Sequence, residues 1–382
     1  MMQWMMWAGW FCGAMALGAL AFHLLCLLGA WDFHRQKNPA SGALPAVSIL
    51  KPLKGADPEM YESFRSHCLQ EYPDYEIIFG VNGAADEAVA YVTRLQQEFP
   101  QRAIRLIVCS EVLGANRKVS NLAQMLAQAK HEHVLINDSD IRVPADYLRD
   151  VMAWFAEPNA GMVTCMYRAI AGKTVWSKIE SLGVTMDFMP PVLAARFLEG
   201  RVYFGLGSTM AVSKEAVRAM GGLESIADHL ADDYELGTRI ADAGLKVVLA
   251  DVVVETFVPE YSVKEFFDHQ LRWGRTIRSS RPGGYAGIVI TFGFFWSLLA
   301  MVSSGGAWWS VGLFVANVIA RLVVTQVVGV RIVGHRAVWS LMWLMPLRDL
   351  LSPFIWLLSL GGSRIVWRGE TFSLHKGKLV RR

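Results

Sequence analysis

The sequence predicts an α/β domain with a mostly parallel sheet, flanked at both ends by helical transmembrane segments. Three observations predict this arrangement: an uncharged apolar run near the N-terminus, short β-branched runs that alternate with amphipathic stretches in the middle, and long apolar runs after residue 285. Hydrophobic residues make up 53 % of the 382 residues. Since this exceeds the usual content of a soluble protein, part of the apolar excess is expected to lie in lipid.

The N-terminal apolar run is long enough to cross a bilayer as a helix. Residues 5–30 contain no Asp, Glu, Lys or Arg, and about 20 apolar residues suffice to span. A signal peptide is the alternative, but its basic start is missing from MMQWMMW, so we expect a retained anchor over residues 1–31. Because Arg35 and Lys37 follow the run, the positive-inside rule places the residues after Trp31 in the cytosol.

Three apolar pieces form a predicted C-terminal transmembrane and re-entrant region over residues 283–362. The pieces at 287–304 and 307–330 are each long enough to span. The third piece, at 337–362, is interrupted, and each half has only about ten residues, which is half a bilayer as a helix. We therefore predict a re-entrant or interfacial hairpin there. The interrupting residues are Pro346, Arg348, Asp349 and Pro353.

A returning hairpin agrees with the charge of the last segment, residues 363–382. Two spans return the chain to the cytosol, and a third full span would export a basic tail, against the positive-inside rule. We therefore expect this tail to be cytosolic. Its basic residues are Arg364, Arg368, Lys376, Lys378, Arg381 and Arg382.

The α/β domain is predicted between residues 45 and 260. The segments AVSILKPLKG, YEIIFGVNG, IRLIVCS and HVLINDSD have the pattern of strands. The stretches between them, at 58–69, 85–98 and 119–129, have helical patterns. Because each connection has helix length, the strands should be parallel and carry the functional site at their C-terminal ends.

Asp138 and Asp140 give the strongest local signal, because they directly follow the apolar strand HVLIN. Two carboxylates two residues apart at a strand end can hold a divalent cation, Mg²⁺ or Mn²⁺, that neutralises a diphosphate leaving group. A solvated turn is the alternative for a D-x-D sequence. The position at a buried strand end favours the metal site.

The loop GANRKVSN precedes this strand and carries Arg117 and Lys118, whose charges suit phosphate groups. The alternative is a structural loop and helix cap, with Ser120 or Asn121 as the capping residue. Both interpretations remain open for this segment alone.

Two further segments carry candidate chemistry. In ADDYELG at 231–237, a carboxylate could be a general base for an acceptor hydroxyl, although acidic residues at a helix start are also favoured by the helix dipole. At 261–282, the stretch FFDHQLRWGRTIR predicts an amphipathic interfacial helix. Arg272 could instead bind a diphosphate, and Trp273 could line an acceptor pocket.

Charge and cysteine content exclude other classes of function. The formal net charge of +3 gives no basic field of the kind that binds nucleic acid. The five cysteines are spread without CxxC spacing, which argues against a disulfide framework and a zinc site. They are expected to be core residues in a reducing compartment: Cys12, Cys26, Cys68, Cys109 and Cys165.

In order and spacing, the motifs resemble the ceramide glucosyltransferase family of inverting GT-A membrane enzymes, nearly from end to end. The matching segments are VSILKPLKGADP, YEIIFGVN, GANRKVSN, NDSDIRV, ADDYELG, H-x-x-R-W and WRGETFSL. The resemblance implies a GT-A domain that binds a nucleotide sugar. It also implies transfer of a hexose or N-acetylhexosamine from a UDP-sugar to a membrane lipid, with inversion to a β-glycoside.

The resemblance also implies roles for individual residues of this chain. Asp233 corresponds to the catalytic base, and Asp138 with Asp140 to the metal pair. The donor-binding candidates are Asp86, Lys118, Asp138, Arg272 and Trp273. His269 stands where the family usually has Gln or Arg, and we place it with Trp273 among the acceptor-side candidates.

Bacterial hopanoid-associated glycosyltransferases are also similar, particularly at GSTMAV and HLADDYELG. The expected acceptor is therefore ceramide or a hopanoid, and the expected location is the bacterial inner membrane with a cytosolic catalytic domain. A polyprenyl-phosphate glycosyltransferase or a polysaccharide synthase is the alternative within this class. A catalytically inactive membrane scaffold is the alternative from another class, but it would be expected to lose the acidic residues that are present here.

Overall fold

The computed structural model describes residues 2–36, 39, 44–367 and 370–381. The chain divides into two compact units. The helical unit comprises Met1–Arg35, Ala171–Glu199 and Glu260–Lys376, and the sheet unit comprises Gln36–Ile170, Gly200–Pro259 and Gly377–Arg382. Residues 171–199, which lie within the stretch predicted as the α/β domain, belong to the helical unit. Lys37, Arg368 and Arg382, which the topology prediction uses, lie outside the described residues.

The sheet unit has a seven-stranded, mostly parallel sheet in the order β3-β2-β1-β4-β6-β5-β7. The pairs β1–β2, β2–β3, β1–β4 and β5–β7 are parallel, and β6 is antiparallel to both β4 and β5. The four predicted strands and their parallel pairing are confirmed. The strands are β1 Val47–Pro52, β2 Tyr75–Val81, β3 Ile104–Val108, β4 His133–Ile136, β5 Ala160–Ile170, β6 Met210–Ser213 and β7 Lys246–Phe257.

The first strands form the core of the sheet unit because helices cover both faces of parallel strands. In β1 and β2 nearly every side chain is buried, which explains why these segments are continuous apolar runs.

The predicted helices are present as α2, α3 and α4. In chain order the α-helices are α1 Met2–His34, α2 Met60–Cys68, α3 Ala88–Glu98, α4 Arg117–Gln128, α5 Tyr147–Met152, α6 Val175–Gly183, α7 Met189–Glu199, α8 Lys214–Ala219, α9 Asp232–Asp242, α10 Val263–Ser280, α11 Pro282–Gly287, α12 Gly293–Ser303, α13 Trp308–Val324, α14 Val338–Leu341 and α15 Met345–Leu360.

The helical unit contains the candidate membrane spans. Among the described residues, three helical segments are long and apolar enough to cross a membrane: Gln3–His34, Trp308–Ile332 and Val338–Leu360. A fourth is added if the pair Pro282–Thr291 and Gly293–Ser303, which is bent by 48°, counts as one span. The N-terminal helix and several C-terminal membrane helices are therefore as predicted.

The predicted hairpin after residue 337 is wrong. Helix α15 continues from Met345 to Leu360 with Pro353 inside it, instead of folding back on itself. A proline removes one helical hydrogen bond without reversing the chain. The two interrupting charges are also paired, since Arg348 Nε is 2.8 Å from Asp187 Oδ2, and Asp349 Oδ1 is 2.6 Å from Arg321 Nη2. The sharp bend lies instead in the first apolar piece, at Phe292.

Near the C-terminus the structure has strands where the sequence analysis expects only a basic tail. In the helical unit, β8 Arg364–Trp367 pairs antiparallel with β9 Glu370–His375. The strand β10 Lys378–Arg381 belongs to the sheet unit, where it forms a bridge with the loop before α9.

Candidate active site

Asp138 and Asp140 lie at the C-terminal end of β4 in a turn that Asn137 holds in place. The buried Asn137 side chain donates to the Tyr147 hydroxyl at 2.9 Å and to the Ser208 carbonyl at 2.6 Å. Its Oδ1 lies 3.2 Å from His67 Nε2. These bonds join α2, α5 and the loop before β6, so the direction of the chain after β4 is fixed by three neighbouring elements.

Two lysines bind the first aspartate of this turn. Lys118 Nζ, at the start of α4, is 2.8 Å from Asp138 Oδ1. Lys51 Nζ, at the end of β1, donates to the Asp138 carbonyl at 2.9 Å. The Lys51 side chain is fully buried, and burial lowers its pKa to about 7 although Asp140 and Asp138 act in the opposite direction.

Asp140 is crowded by other carboxylates. Its Oδ2 accepts a hydrogen bond from Thr256 Oγ1, and Ser139 between the two aspartates donates to Asp57 Oδ2. Burial and the neighbouring Asp138 raise the pKa of Asp140 to about 6. The turn therefore concentrates negative charge at the carboxyl ends of the strands.

Asp233 lies in the first turn of α9 and points toward the same place. Its Oδ2 accepts the Gly207 N–H at 3.0 Å, and its Oδ1 accepts the Tyr234 N–H at 2.8 Å. A Cβ atom placed on Gly207 would be 3.1 Å from Asp233 Oδ2 and 3.6 Å from Asp138 Oδ2. The two predicted residues therefore face each other across a glycine, although 94 residues separate them in the chain.

The pKa of Asp233 is raised to about 6 by burial and by the adjacent Asp232, with Lys118 opposing the shift. Lys118 Nζ is 3.1 Å from Asp232 Oδ2, so this lysine joins Asp232 to Asp138. Burial disfavours the charged form of Lys118, but Asp138 and Asp232 outweigh it and raise its pKa. Lys118 is therefore a permanent cation between two carboxylates.

Asp86, predicted to contact the nucleotide, lies in the loop between β2 and α3. Its carboxylate accepts the Gly55 N–H at 3.0 Å and the Ala88 N–H at 3.0 Å. It therefore joins the loop after β1 to the start of α3. The loop after β1 also carries Asp57, which contacts Ser139 in the Asp138 turn.

The residues of the Asp138 turn fit a divalent cation. Carboxylate oxygens are the ligands that Mg²⁺ and Mn²⁺ prefer. The Asp138 side chain is 41 % exposed, and while its Oδ1 pairs with Lys118, its Oδ2 faces the gap over Gly207. Burial and, after it, repulsion from Asp138 raise the pKa of Asp140, and a cation bound beside the two carboxylates would offset both effects. Within the described residues no group of three or more His, Cys, Asp or Glu side chains is arranged around a metal position.

The remaining predicted residues lie on α10 in the helical unit. The His269 ring is 5.3 Å from the Tyr261 ring and 5.5 Å from the Trp273 ring, and its Nδ1 is 3.4 Å from Glu180 Oε1. Trp273 also packs edge-on against Phe188 at 5.3 Å. His269 is therefore held in an aromatic and acidic environment within this unit.

A buried polar chain that the sequence analysis missed holds the same helix. Gln270 donates to Glu180 and accepts from Arg348 at 2.8 Å. Arg348 binds Asp187, which also pairs with Arg321 at 2.5 Å. The signal in the sequence is the presence of charged residues within apolar runs, a pattern that by itself predicts a break in a helix.

Other important residues of the sheet unit also escaped the sequence analysis. Lys51 belongs to a strand segment, and Asp57 is an acidic residue without a distinctive pattern. Asn137 and Asp232 lie in the candidate segments HVLINDSD and ADDYELG, but the sequence assigns neither residue its own role. Only Lys51 had a recognisable signal, because it is a charged residue in the otherwise apolar strand VSILKP. The cap of α4 also differs from the expected Ser120 or Asn121. Helix α4 begins at Arg117, and Asn116 caps it by accepting the Val119 N–H at 3.2 Å.

Comparison with known proteins assigns the family. The model of glycosyl transferase family 21 matches residues 11–380, which is nearly the whole chain. The chain belongs to glycosyl transferase family 21. This family 21 glycosyltransferase is 25 % identical to ceramide glucosyltransferase 3 of Caenorhabditis elegans over an alignment of 376 residues that covers 90 % of this chain and 75 % of the relative.

The chain is also similar to a bacterial enzyme and to a protein of known structure. It is 26 % identical over 248 residues to the beta-monoglucosyldiacylglycerol synthase of Synechocystis sp., covering 61 % of this chain and 49 % of that protein. The mannosyltransferase of Pyrobaculum calidifontis, solved with GDP-Man and Mn²⁺, has a TM-score of 0.51 at 19 % identity over 90 % of this chain and 99 % of that chain. That similarity confirms the predicted GT-A fold.

Proposed function

We propose that this glycosyltransferase moves a hexose or N-acetylhexosamine from a UDP-sugar to the hydroxyl group of a membrane lipid, ceramide or a hopanoid, with inversion to a β-glycoside. The observation that carries the proposal is the approach of Asp233 and Asp138 across Gly207. A base and a leaving-group site must lie close together for one displacement at a single carbon atom. The ceramide and diacylglycerol specificities in the names of the relatives support a lipid acceptor.

Asp233 is the base in this mechanism. The acceptor oxygen attacks the anomeric carbon while its proton passes to the Asp233 carboxylate, and the bond from that carbon to the UDP oxygen breaks. A pKa of about 6 leaves Asp233 ionised at neutral pH and makes it a stronger base than an ordinary aspartate. The bonds from the Gly207 and Tyr234 N–H groups fix the orientation of the carboxylate.

Asp138 and Asp140 are the residues that would hold Mg²⁺ or Mn²⁺. When bound there, the cation supplies positive charge to the departing diphosphate. Lys118 adds a fixed charge on the same side, because it is paired with Asp138. We assign nucleotide contacts to Asp86, diphosphate contacts to Arg272, and contacts with the donor and acceptor to Trp273, with His269 on the acceptor side.

The helical unit would bring the enzyme to its acceptor. A lipid keeps its apolar tail out of water most favourably when it reacts at the membrane surface. We place the enzyme in the bacterial inner membrane with the sheet unit in the cytosol. The basic Arg35 after α1 supports that orientation.

The test is sugar transfer by the purified protein in detergent, read by mass spectrometry. The panel combines several UDP-sugars and either cation with ceramide, hopanoid, diacylglycerol or polyprenyl phosphate as the acceptor. Asp233→Asn should lower transfer about 10²–10⁴-fold, the usual contribution of a general base. Asp242→Asn, an exposed residue at the end of the same helix, is the matched control and should transfer normally.

The outcomes separate the competing functions. A glycolipid formed by the unmodified protein and lost in Asp233→Asn supports the proposal and identifies donor and acceptor. Product found only with polyprenyl phosphate, or only as a polysaccharide, would replace the proposed ceramide or hopanoid acceptor with that alternative. UDP binding without transfer to any acceptor would indicate an inactive scaffold.

A further inference from the structure

The loop at residues 227–231 lies directly before Asp232 and Asp233 and is held from two sides. On one side lies the segment that leads into α4, and on the other lies β10. Because Lys118 is in the first turn of α4 and Asp232 begins α9, this loop stands between the two helix starts that carry the candidate active site.

The first side is a set of hydrogen bonds to residues 114–116. The Asn116 N–H donates to the Ala227 carbonyl at 2.7 Å, and the Ala115 N–H donates to Asp228 Oδ1 at 2.9 Å. The fully buried Asn116 side chain donates to the His229 carbonyl at 2.8 Å. A Cβ on Gly114 would be 2.5 Å from the Ala227 carbonyl oxygen, so only glycine permits this approach.

The second side is pairing with β10. The Leu379 N–H donates to the Asp228 carbonyl at 2.7 Å, and the Leu230 N–H donates to the Gly377 carbonyl at 3.1 Å. His229 and Lys378 form an antiparallel bridge between these two bonds. The Leu379 side chain is 4 % exposed, whereas its neighbour Val380 is 50 % exposed.

We propose that β10 is a positioning element of the active site, which sets the distance between Lys118 and the pair Asp232 and Asp233 by holding the loop 227–231 in place. The inference rests on the proposed function, since it concerns the residues that act there. Asn116 links the two parts directly, because it caps α4 and binds the loop. Leu379 and Asn116 are positioning residues: Leu379 acts through the loop, and Asn116 acts through the loop and through its Nδ2, which is 3.5 Å from Asp232 Oδ1.

The physical basis is the short range of the contacts made by Lys118. Its pairs with Asp138 at 2.8 Å and with Asp232 at 3.1 Å exist only while both helix starts stay in place. Without the pairing to β10, the loop keeps its bonds to residues 114–116 but loses its two main-chain bonds to Gly377 and Leu379. Small displacements of positioned groups lower rates strongly.

The experiment compares Leu379→Pro, which removes the N–H that binds Asp228, with Leu379→Ala, which removes the buried side chain. Val380→Ala is the matched control, since it shortens an exposed apolar side chain at the next position, and Leu379→Met tests rescue at nearly constant volume. Each full-length protein is studied in detergent by hydrogen exchange with mass spectrometry, thermal unfolding and transfer kinetics.

We expect about tenfold faster exchange in peptides that cover residues 114–121 and 227–236 in Leu379→Pro and Leu379→Ala, because each lost hydrogen bond or buried group lowers local stability. We also expect about tenfold lower kcat with an unchanged KM for the lipid acceptor. Val380→Ala and Leu379→Met should behave like the unmodified chain.

Three results would overturn the inference. They are unchanged exchange in both peptides, unchanged kcat in spite of faster exchange, and equal losses in Val380→Ala. An unmodified protein that transfers no sugar would overturn the proposed function. An active unmodified protein beside an equally active Leu379→Pro variant would overturn only the role of β10.

Discussion

Gly207 provides the most direct test of the proposed site, because it has no side chain and lies between the carboxylates of Asp233 and Asp138. The Cβ added by Gly207→Ala would be 3.1 Å from Asp233 Oδ2 and 3.6 Å from Asp138 Oδ2. The first distance is tighter than ordinary contact between carbon and oxygen. Asp233 must therefore shift, and its 3.0 Å bond from the Gly207 N–H must lengthen or bend.

The size of the effect follows from this displacement. A shift of a few tenths of an ångström is smaller than the roughly 1 Å misplacement that costs about 10²-fold in rate. We therefore expect kcat to fall about tenfold, which corresponds to about 1.4 kcal/mol in the activation free energy. The stability of the fold should change little, because one methyl group is added beside a partly exposed carboxylate.

The assay is steady-state transfer of the sugar to the lipid, with thermal unfolding measured on the same samples. Gly312→Ala is the control, since no atom beyond the adjoining backbone of its own helix lies within 4 Å of a Cβ built at that position. It should retain full activity. A Gly207→Ala protein with kcat within twofold of the unmodified chain would refute the argument that Asp233 and Asp138 work across this glycine.

Three further predictions follow from the same structure. Asp233 must be ionised to accept a proton, and its pKa is raised to about 6. We therefore expect kcat/KM to fall about tenfold per pH unit below pH ~6 and to be constant above it. A profile that stays flat down to pH ~5 would contradict the assignment of Asp233 as the base. Removal of divalent cations with EDTA should abolish transfer. Mn²⁺ should raise the thermal midpoint of the unmodified chain but not that of Asp138→Asn. Equal stabilisation of the two proteins would show that the cation binds away from Asp138. Arg321→Met should lower the free energy of unfolding by about 3–5 kcal/mol, because it leaves Asp187 and Asp349 without the cation that they share. The control is Arg331→Met at an exposed position, which should change the free energy of unfolding little. Equal effects of the two substitutions would show that the buried ion pairs contribute nothing specific to stability.

The sheet unit was predictable where local pattern decides the structure. The strands β1 to β4 are short apolar runs with helical segments between them, and Asp138 and Asp140 were found because they follow such a run. What could not be predicted is contact between distant segments. The pairing of Asn116 with residues 227–231 joins parts of the chain about a hundred residues apart, and no feature near either segment indicates the other.

The helical unit shows the opposite limit, in which a local signal was interpreted too simply. Arg348, Asp349 and Pro353 are each unfavourable in a membrane helix when considered alone. Their cost depends on partners that the local sequence does not show, since Arg348 pairs with Asp187 and Asp349 with Arg321. A charge that is paired inside the protein no longer has to break the helix.

These partners also determine where α10 lies within the helical unit. An amphipathic helix that rests on a membrane by its apolar face alone is free to rotate by small amounts, because the hydrophobic effect has no direction. Hydrogen bonds do have direction, and Gln270 uses both ends of its amide, donating to Glu180 on α6 and accepting from Arg348 on α15. These contacts of Gln270 therefore fix the rotation of α10 about its axis, and with it the directions in which Arg272 and Trp273 leave the helix. Charged residues within the apolar segments thus orient the helix that carries the predicted substrate contacts.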